Sequence, residues 1–517
     1  MAFSRRKFMQ WAASASALAA VPAPGANLLP LLSEGLGSEL RPGLLPTQKE
    51  VWDWQVWMAK LGPKYTGNPA HITFVDFLEK QLKAAGLDVT RDHFTLPRWD
   101  AHRWSIHVSP SSGASFEIPV TSYFPYSGTT PAEGVTGEIA FAGNTHSPNY
   151  AGLEGKIAYA DCPSASRAFG QWYAPWGLYP SDMTFPAVSE RQGWAPDLPG
   201  PAGAPAGGVP TAAGGANGGL GDFQKSGALA VILGRIDISD ANAADQYAPF
   251  GRAFQNMPCV YVGHNNAAKL RGLAGSGAKA TVVLEATVTP DSPTDTLIAT
   301  LPGMTSDEVI VVNTHTDGPN ATEENGGLGV LALAKYFAGI PKAQRKRTIV
   351  FVLATGHFAS SYVPSIRGFI KNHPDVIQKT VAAVTVEHLG CLEWKDDDAF
   401  NYRATGQNEL NLTISPHKST ADIMLAALQG SSAKRTAVVR LASPDARFFG
   451  EGNALSAAGI PTVAHIPIPD YLCAGPQNGC IEKLSAELMH DQIKVFANVI
   501  QQMDSMTTTQ LKSEEGS

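Results

Sequence analysis

The pattern of hydrophobic and polar positions changes texture twice along the chain. From Gln48 to Gly86 it is helical: Phe74, Phe77, Leu78, Leu82 and Ala85 recur at helical spacing, and Gly86 stands where a C-cap would. Leu87-Asp88-Val89-Thr90 then reads as a short strand. From about Tyr123 to Ala286 short β runs take over, at Gly137–Phe141, Gly155–Tyr159 and Ala228–Leu233, separated by Gly/Pro turns. Between Gln171 and Gly221 the chain is dense in Pro, Gly and Trp and reads as an irregular loop. Trp172, Trp176 and Trp194 in it either line a pocket for a bulky ligand or pin the loop down.

From Thr296 onward apolar strands and amphipathic helices alternate. Glu308–Asn313, Arg347–Leu353, Ala382–Val386 and Thr462–Ile466 are β-rich runs. Gly326–Ala338 is a helix carrying Leu328, Leu331, Leu333, Ala334 and Phe337, and a last helix spans about Lys483–Met503. There is no internal repeat. The alternation predicts an α/β fold, with a mostly parallel central sheet covered by helices on both faces and a β-rich insertion.

Composition narrows the function. The 517 residues suit two domains or three, and 44% hydrophobic content supports sizeable cores. A formal charge of -7 with no basic block argues against a nucleic-acid partner. At the start, Ser4-Arg5-Arg6-Lys7-Phe8-Met9 precedes an apolar stretch, Trp11–Val21, and small residues at Ala23 and Ala26. This resembles a twin-arginine export signal over residues 1–26, followed by a Leu/Gly/Pro-rich linker over 27–45. The resemblance implies a periplasmic or secreted protein that crosses folded, with a cofactor or metal already loaded. Pro22 and Pro24 cut the apolar stretch short of the ~20 residues a membrane span needs, and no later segment is long enough either. Among the five cysteines, Cys473 and Cys480 bracket a turn-rich loop, as a disulfide pair or as two loop thiols.

In open α/β sheets, sites form at the carboxyl ends of strands. Three such ends carry ionisable groups here: Thr314-His315-Thr316-Asp317, Thr355-Gly356-His357-Phe358 and Val386-Glu387-His388-Leu389. Ala321-Thr322-Glu323-Glu324-Asn325 leads from the first into a helix. His315 and Asp317 are two apart, so an extended chain points both to one side, where a carboxylate can orient an imidazole. Asp317, Glu324 and Glu387 are expected to converge with His315 and His357. Crowded carboxylates raise one another's pKa values, and either a divalent cation or a proton relieves the repulsion.

This order of motifs resembles the co-catalytic zinc aminopeptidases, the superfamily that includes glutamate carboxypeptidase and the transferrin receptor. Residues 40–125 and 287–505 resemble the aminopeptidase-like α/β domain, and 126–286 resemble its inserted protease-associated domain. By this resemblance His315 is a metal ligand and Asp317 its orienting carboxylate, Glu324 replaces a bridging aspartate, and Glu387 completes the first metal. Where the family has Glu-Glu, this chain has His357-Phe358, and Tyr471 is followed by Leu472 instead of histidine, so two ligands of a second metal are missing. His465 lies nearby but within a strand. What remains is one divalent metal, zinc by resemblance, on His315, Glu324 and Glu387, with His388 or His357 as a fourth ligand. His357 is alternatively a general base, since imidazole titrates near neutrality. Glu451 falls near the family's pocket, as a substrate contact or an exposed loop carboxylate.

The implied activity is a single-metal hydrolase of an amide, peptide or related ester bond, with a small-molecule or peptide substrate and no stable membrane span once the signal is removed. Two other readings stay open: a metal-free hydrolase or lyase using His357 with Glu387, and a non-catalytic binding protein with a degenerate site.

Overall fold

A computed structural model describes residues 40–513 apart from 146, 164–165, 169–176, 179–188, 192–219, 248–252, 434, 441–447 and 449. Residues 1–26, read above as resembling an export signal, and the three tryptophans Trp172, Trp176 and Trp194 lie outside the described residues.

The helical stretch expected from Gln48 to Gly86 is two helices, α1 (Gln48–Ala59) and α2 (Pro69–Ala84). The break has local causes. Gly62 and Gly67 adopt φ of 76° and 74°, which side chains rarely tolerate, and Pro69 can only open a helix. Asn68 then caps α2 by accepting from His71 N.

The short strand expected at Leu87–Thr90 is the start of β1 (Asp88–Ser109). After it come β2 (Ser122–Tyr123), β3 (Val135–Asn144), β4 (Ile157–Cys162), β5 (Ala230–Arg235), β6 (Cys259–Val262), helix α3 (His264–Leu273) and β7 (Lys279–Leu301). β1 and β7 pair antiparallel from Asp88↔Thr300 to Ser109↔Lys279. Much of this long ribbon is solvated, which is why its sequence carries so few continuous apolar runs.

The main elements that follow are β8 (Thr305–His315), α4 (Gly326–Gly339), β9 (Arg347–Ala354), β10 (Thr380–Val386), β11 (Asn411–Ile414), α5 (Lys418–Leu428), β12 (Thr436–Val439), β13 (Thr462–His465) and α6 (Ala486–Ser505). The sheet order is β2-β6-β5-β4-β3-β7-β9-β8-β10-β13-β11-β12. Strands β9, β8, β10 and β13 run parallel to their neighbours in that series, while β7 joins β9 and β3 antiparallel. The fold is therefore mixed α/β around a mostly parallel centre, as the alternation predicts. The short strands β11 and β12 were not foreseen, being only four residues each.

Both faces of the central strands are covered. Val309, Val311, Val350, Val352 and Ala383 pack with Ile366, Phe369, Leu455 and Ile460 on one side. Helix α4 packs on the strands too, and α1, α2 and α6 pack against α4. Nearly every residue of α4 is buried, so its apolar residues run all round it. Among the described residues no helix is long and apolar enough to cross a membrane.

Cys473 and Cys480 are not bridged; both are free thiols. Cys473 is fully buried in a hydrophobic cluster, whereas Cys480 stands at the N-cap of the 3-10 turn Ile481–Lys483.

Candidate metal centre

Parallel pairing sets the stage. His315 lies beside Ala354 on β9, and Asn313 beside Thr385 on β10, so the turns after all three strands open at one sheet edge. That edge receives the segments His315–Gly318, Thr355–Phe358 and Glu387–Gly390.

Two imidazoles are fixed by backbone carbonyls. His315 Nδ1 donates to the Asp317 carbonyl at 2.9 Å, and His388 Nδ1 donates to the Pro467 carbonyl at 2.6 Å. A carbonyl only accepts, so each Nδ1 carries the proton and each Nε2 presents a lone pair. His388 adopts φ of 55°, unusual for a residue with a side chain, and this kink follows directly on β10.

Carboxylates face those lone pairs. His388 Nε2 is 3.2 Å from Glu323 Oε2 and 3.7 Å from Glu387 Oε2, and His315 Nε2 is 3.7 Å from the same Glu387 oxygen. Ligand atoms of His315, Glu323 and His388 all lie within 4.8 Å of one another. His315 Nε2, His388 Nε2, both Glu323 oxygens and Glu387 Oε2 are buried with no hydrogen-bond partner. Each such atom costs about 1–3 kcal/mol if left alone. Lone pairs facing lone pairs repel, so a cation or a proton must lie between them. Two imidazoles and two carboxylates are a donor set that suits a divalent ion such as zinc.

Burial dominates the electrostatics. It holds His315 well below the ordinary imidazole range and His388 at about 3, with neighbouring imidazolium charge adding to the effect. It pushes Glu323 well above the carboxylate range and Glu387 up to about 7, against the pull of His357. The imidazoles are thus neutral and ready to donate lone pairs.

His357 behaves differently. Its ring stacks on that of His315 with centroids 4.0 Å apart, and its Nδ1 donates to Glu451 Oε1 at 2.6 Å. Burial alone would lower its pKa, but the hydrogen bond and charge of Glu451, with Glu387 and Glu323, outweigh that and raise it to about 10. Its Nε2 lies 3.8 Å from Glu323 Oε1. Glu451 is not an exposed loop carboxylate: it is buried, accepts from Ser365 Oγ and Ile366 N as well, and sends its own N–H to Glu387 Oε1. Its position behind His357 is that of an orienting group.

Asp317 and Glu324 are turned to other partners. Asp317 Oδ1 accepts from Gly356 N and His357 N, and its Oδ2 from Phe358 N at 2.8 Å and Thr66 Oγ1 at 2.5 Å. It is the Asp317 carbonyl, not its carboxylate, that orients His315. Glu324 Oε1 instead meets Lys64 Nζ at 2.5 Å, with both side chains fully buried. The adjacent Glu323 takes the position facing the imidazoles. It is held there by Asn320, whose Oδ1 accepts from Glu323 N and whose Nδ2 donates to carbonyls of residues 471, 472 and 474. Asn325 ties the start of α4 to Leu389 through both amide atoms. His465 lies in β13 bonded to Thr413 and Gln492.

The residues missed by sequence reasoning are Glu323, Lys64, Thr66 and Asn320. Lys64 and Thr66 sit in the Gly62-Pro63…Gly67-Asn68-Pro69 breaker run, a signal that the stretch was not one helix. Choosing between Glu323 and Glu324 requires the direction of the turn before α4, which no pattern encodes.

Gly318 shows how tightly this corner is built. A Cβ there would meet Glu324 Oε2 at 2.3 Å and Glu323 Cβ at 2.8 Å. Gly318→Ala should lower stability by about 1–3 kcal/mol, read as a lower urea midpoint. An unchanged midpoint would show that the two glutamates yield freely.

An aromatic wall adjoins the centre. Phe358 stacks on Tyr247 at 6.3 Å and 11°, and Tyr247 packs against Tyr65 at 4.2 Å.

No protein-family model matches the chain, and no curated protein does. Solved structures do. A peptidase M28 precursor from Shewanella amazonensis SB2B aligns over 89% of this chain and 97% of its own, at 16% identity and a TM-score of 0.60. A zinc aminopeptidase from Bacillus subtilis covers 88% and 95% at 14% identity and a TM-score of 0.58. An aminopeptidase from Aneurinibacillus sp. strain AM-1 covers 88% and 93% at 16% identity and a TM-score of 0.55. At these identities the likeness is one of architecture. The chain is built on the fold of the zinc aminopeptidases and M28 peptidases.

Proposed function

We propose that this protein is an exported, single-metal hydrolase that cleaves an amide, peptide or related ester bond. The observation that carries the reading is the convergence of buried, unpartnered His315 Nε2, His388 Nε2, Glu323 and Glu387 Oε2 at the edge of an aminopeptidase-like sheet. These four residues would hold the ion. A divalent cation there supplies polarisation of the scissile carbonyl and a lowered pKa for water.

The chain's own groups supply the rest. His357, protonated at both nitrogens through its bond to Glu451, holds a proton on Nε2 for a leaving amine or alkoxide. Asp317 fixes the turn that carries His357, by accepting three consecutive backbone N–H groups. The buried rings of Phe358 and Tyr247 stack on each other beside His357 and support the turn that carries it. Residues 126–286 are read as a protease-associated-like insert, and residues 1–26 as a twin-arginine signal leading to the periplasm or outside.

Metal content decides the matter. Protein purified after export should carry about one divalent ion per chain. Chelation should abolish hydrolysis of chromogenic amides or esters, and zinc should restore it. A metal-free protein of undiminished activity would sink the reading. The second reading, a metal-free acid/base enzyme, is favoured by one observation: a proton on Glu323 also satisfies His388 Nε2 across 3.2 Å. Chelator-resistant hydrolysis that depends on His357 is its signature.

A further inference from the structure

Lys64 is the least expected charge at the centre. It lies in the loop between α1 and α2, far in sequence from the Glu324 carboxylate and the Gly318 backbone that it meets. Its position is dictated by backbone pairing, since Lys64 N donates to Gly318 O at 2.8 Å and Gly318 N donates back to Lys64 O at 3.0 Å. Gly318 directly follows the His315-Thr316-Asp317 segment, so this bridge ties the loop to the floor of the site.

The side chain then runs into a closed pocket. Its Nζ meets Glu324 Oε1 at 2.5 Å, Gly62 O at 2.7 Å and Met58 O at 3.4 Å. Nζ donates to the two carbonyls and faces the Glu324 carboxylate as an ion pair. Burial pushes the Lys64 pKa down, to about 7. Thr66, two residues on, donates to Asp317, so the same loop holds both carboxylates that face away from His315 and His388.

The charges then separate into two groups. Glu323 and Glu387 face neutral imidazoles and are left for one divalent ion. Glu324 is next in sequence to Glu323 and fully buried, its oxygens also without a hydrogen-bond partner, but it differs from Glu323 in having the Lys64 ammonium against Oε1. A buried carboxylate stripped of its counter-ion is strongly unfavourable and takes up whatever cation can reach it.

We infer that Lys64 acts as a built-in cation that withholds Glu324 from the metal and limits the centre to one ion. Lys64 is thus a positioning residue for metal stoichiometry. The inference rests on the metal-centre reading proposed above.

The test uses the full chain dialysed against zinc alone, with metal counted by elemental mass spectrometry and folding followed by circular dichroism. Wild type should hold about one zinc ion, and Glu324→Gln should hold the same with affinity within about threefold, because Glu324 is not a ligand. Lys64→Met should gain a second, weaker ion, and Lys64→Met/Glu324→Gln should return to one. Loss of the single ion in Glu324→Gln would overturn the inference, as would a folded Lys64→Met that still binds only one. Should Lys64→Met fail to fold, retention or loss of zinc in Glu324→Gln still decides. Wild-type protein that binds no zinc overturns the metal-centre reading itself, and this inference with it, which is a different result from either variant failing.

Discussion

His388→Ala and Glu323→Gln are expected to lose the bound ion, and with it hydrolysis, while Glu324→Gln keeps both. The first two remove atoms that face the other ligands at 3.2–3.7 Å, whereas Glu324 is committed to Lys64. Groups that merely support a ligand typically change metal affinity about 10–100-fold, so loss of a ligand itself should exceed that. Melting curves give a readout independent of activity. At zinc about 100-fold above its Kd, wild type should be stabilised by about 2.7 kcal/mol, and the two ligand variants should show no such gain. Equal zinc stabilisation in Glu323→Gln and wild type would remove Glu323 from the centre. Loss in Glu324→Gln would restore the assignment suggested by sequence resemblance.

His357→Ala should reduce kcat by about 10²–10⁴-fold with the bound metal retained, the usual contribution of a positioned proton donor. Glu451→Gln tests how His357 is tuned. In the intact site the hydrogen bond and charge of Glu451 help lift the His357 pKa to about 10, against burial. The imidazolium is therefore present below that pH and lost as pH rises through it. Activity that needs this proton should fall on the alkaline side. Glu451→Gln removes the carboxylate charge, lowers the His357 pKa and should move that alkaline limb to lower pH. The same sign governs stability: the gain from the raised His357 pKa is fully present below about 6.5, the unfolded value, and is lost as pH approaches 10. An unshifted profile in Glu451→Gln would show that another group sets the alkaline limb. Full metal loss in His357→Ala would make His357 a ligand instead.

The fold was legible because it is written in local periodicities. The all-buried strands Arg347–Ala354 and Thr380–Val386 read as continuous apolar runs, and the helix Gly326–Gly339 has too few polar residues to be anything but interior. The strand ends were legible for the same reason: His315, His357, Glu387 and His388 interrupt apolar runs where a parallel sheet places its sites. By the family resemblance, Phe358 and Leu472 stand where ligands of a second metal are expected.

What only the tertiary structure decided was the partner of each charge. Glu323 and Glu324 are adjacent and chemically identical. They are told apart by Asn320, which fixes the turn from strands away, and by Lys64, whose loop reaches the site through a backbone bridge to Gly318. Likewise Asp317, spaced ideally to orient His315, gives its carboxylate to the backbone of the next strand's turn and only its carbonyl to the histidine. Spacing along a chain limits which side of a strand a group occupies. Hydrogen-bond partners come from segments tens or hundreds of residues away, and burial makes those distant partners decide which charges remain free to bind an ion.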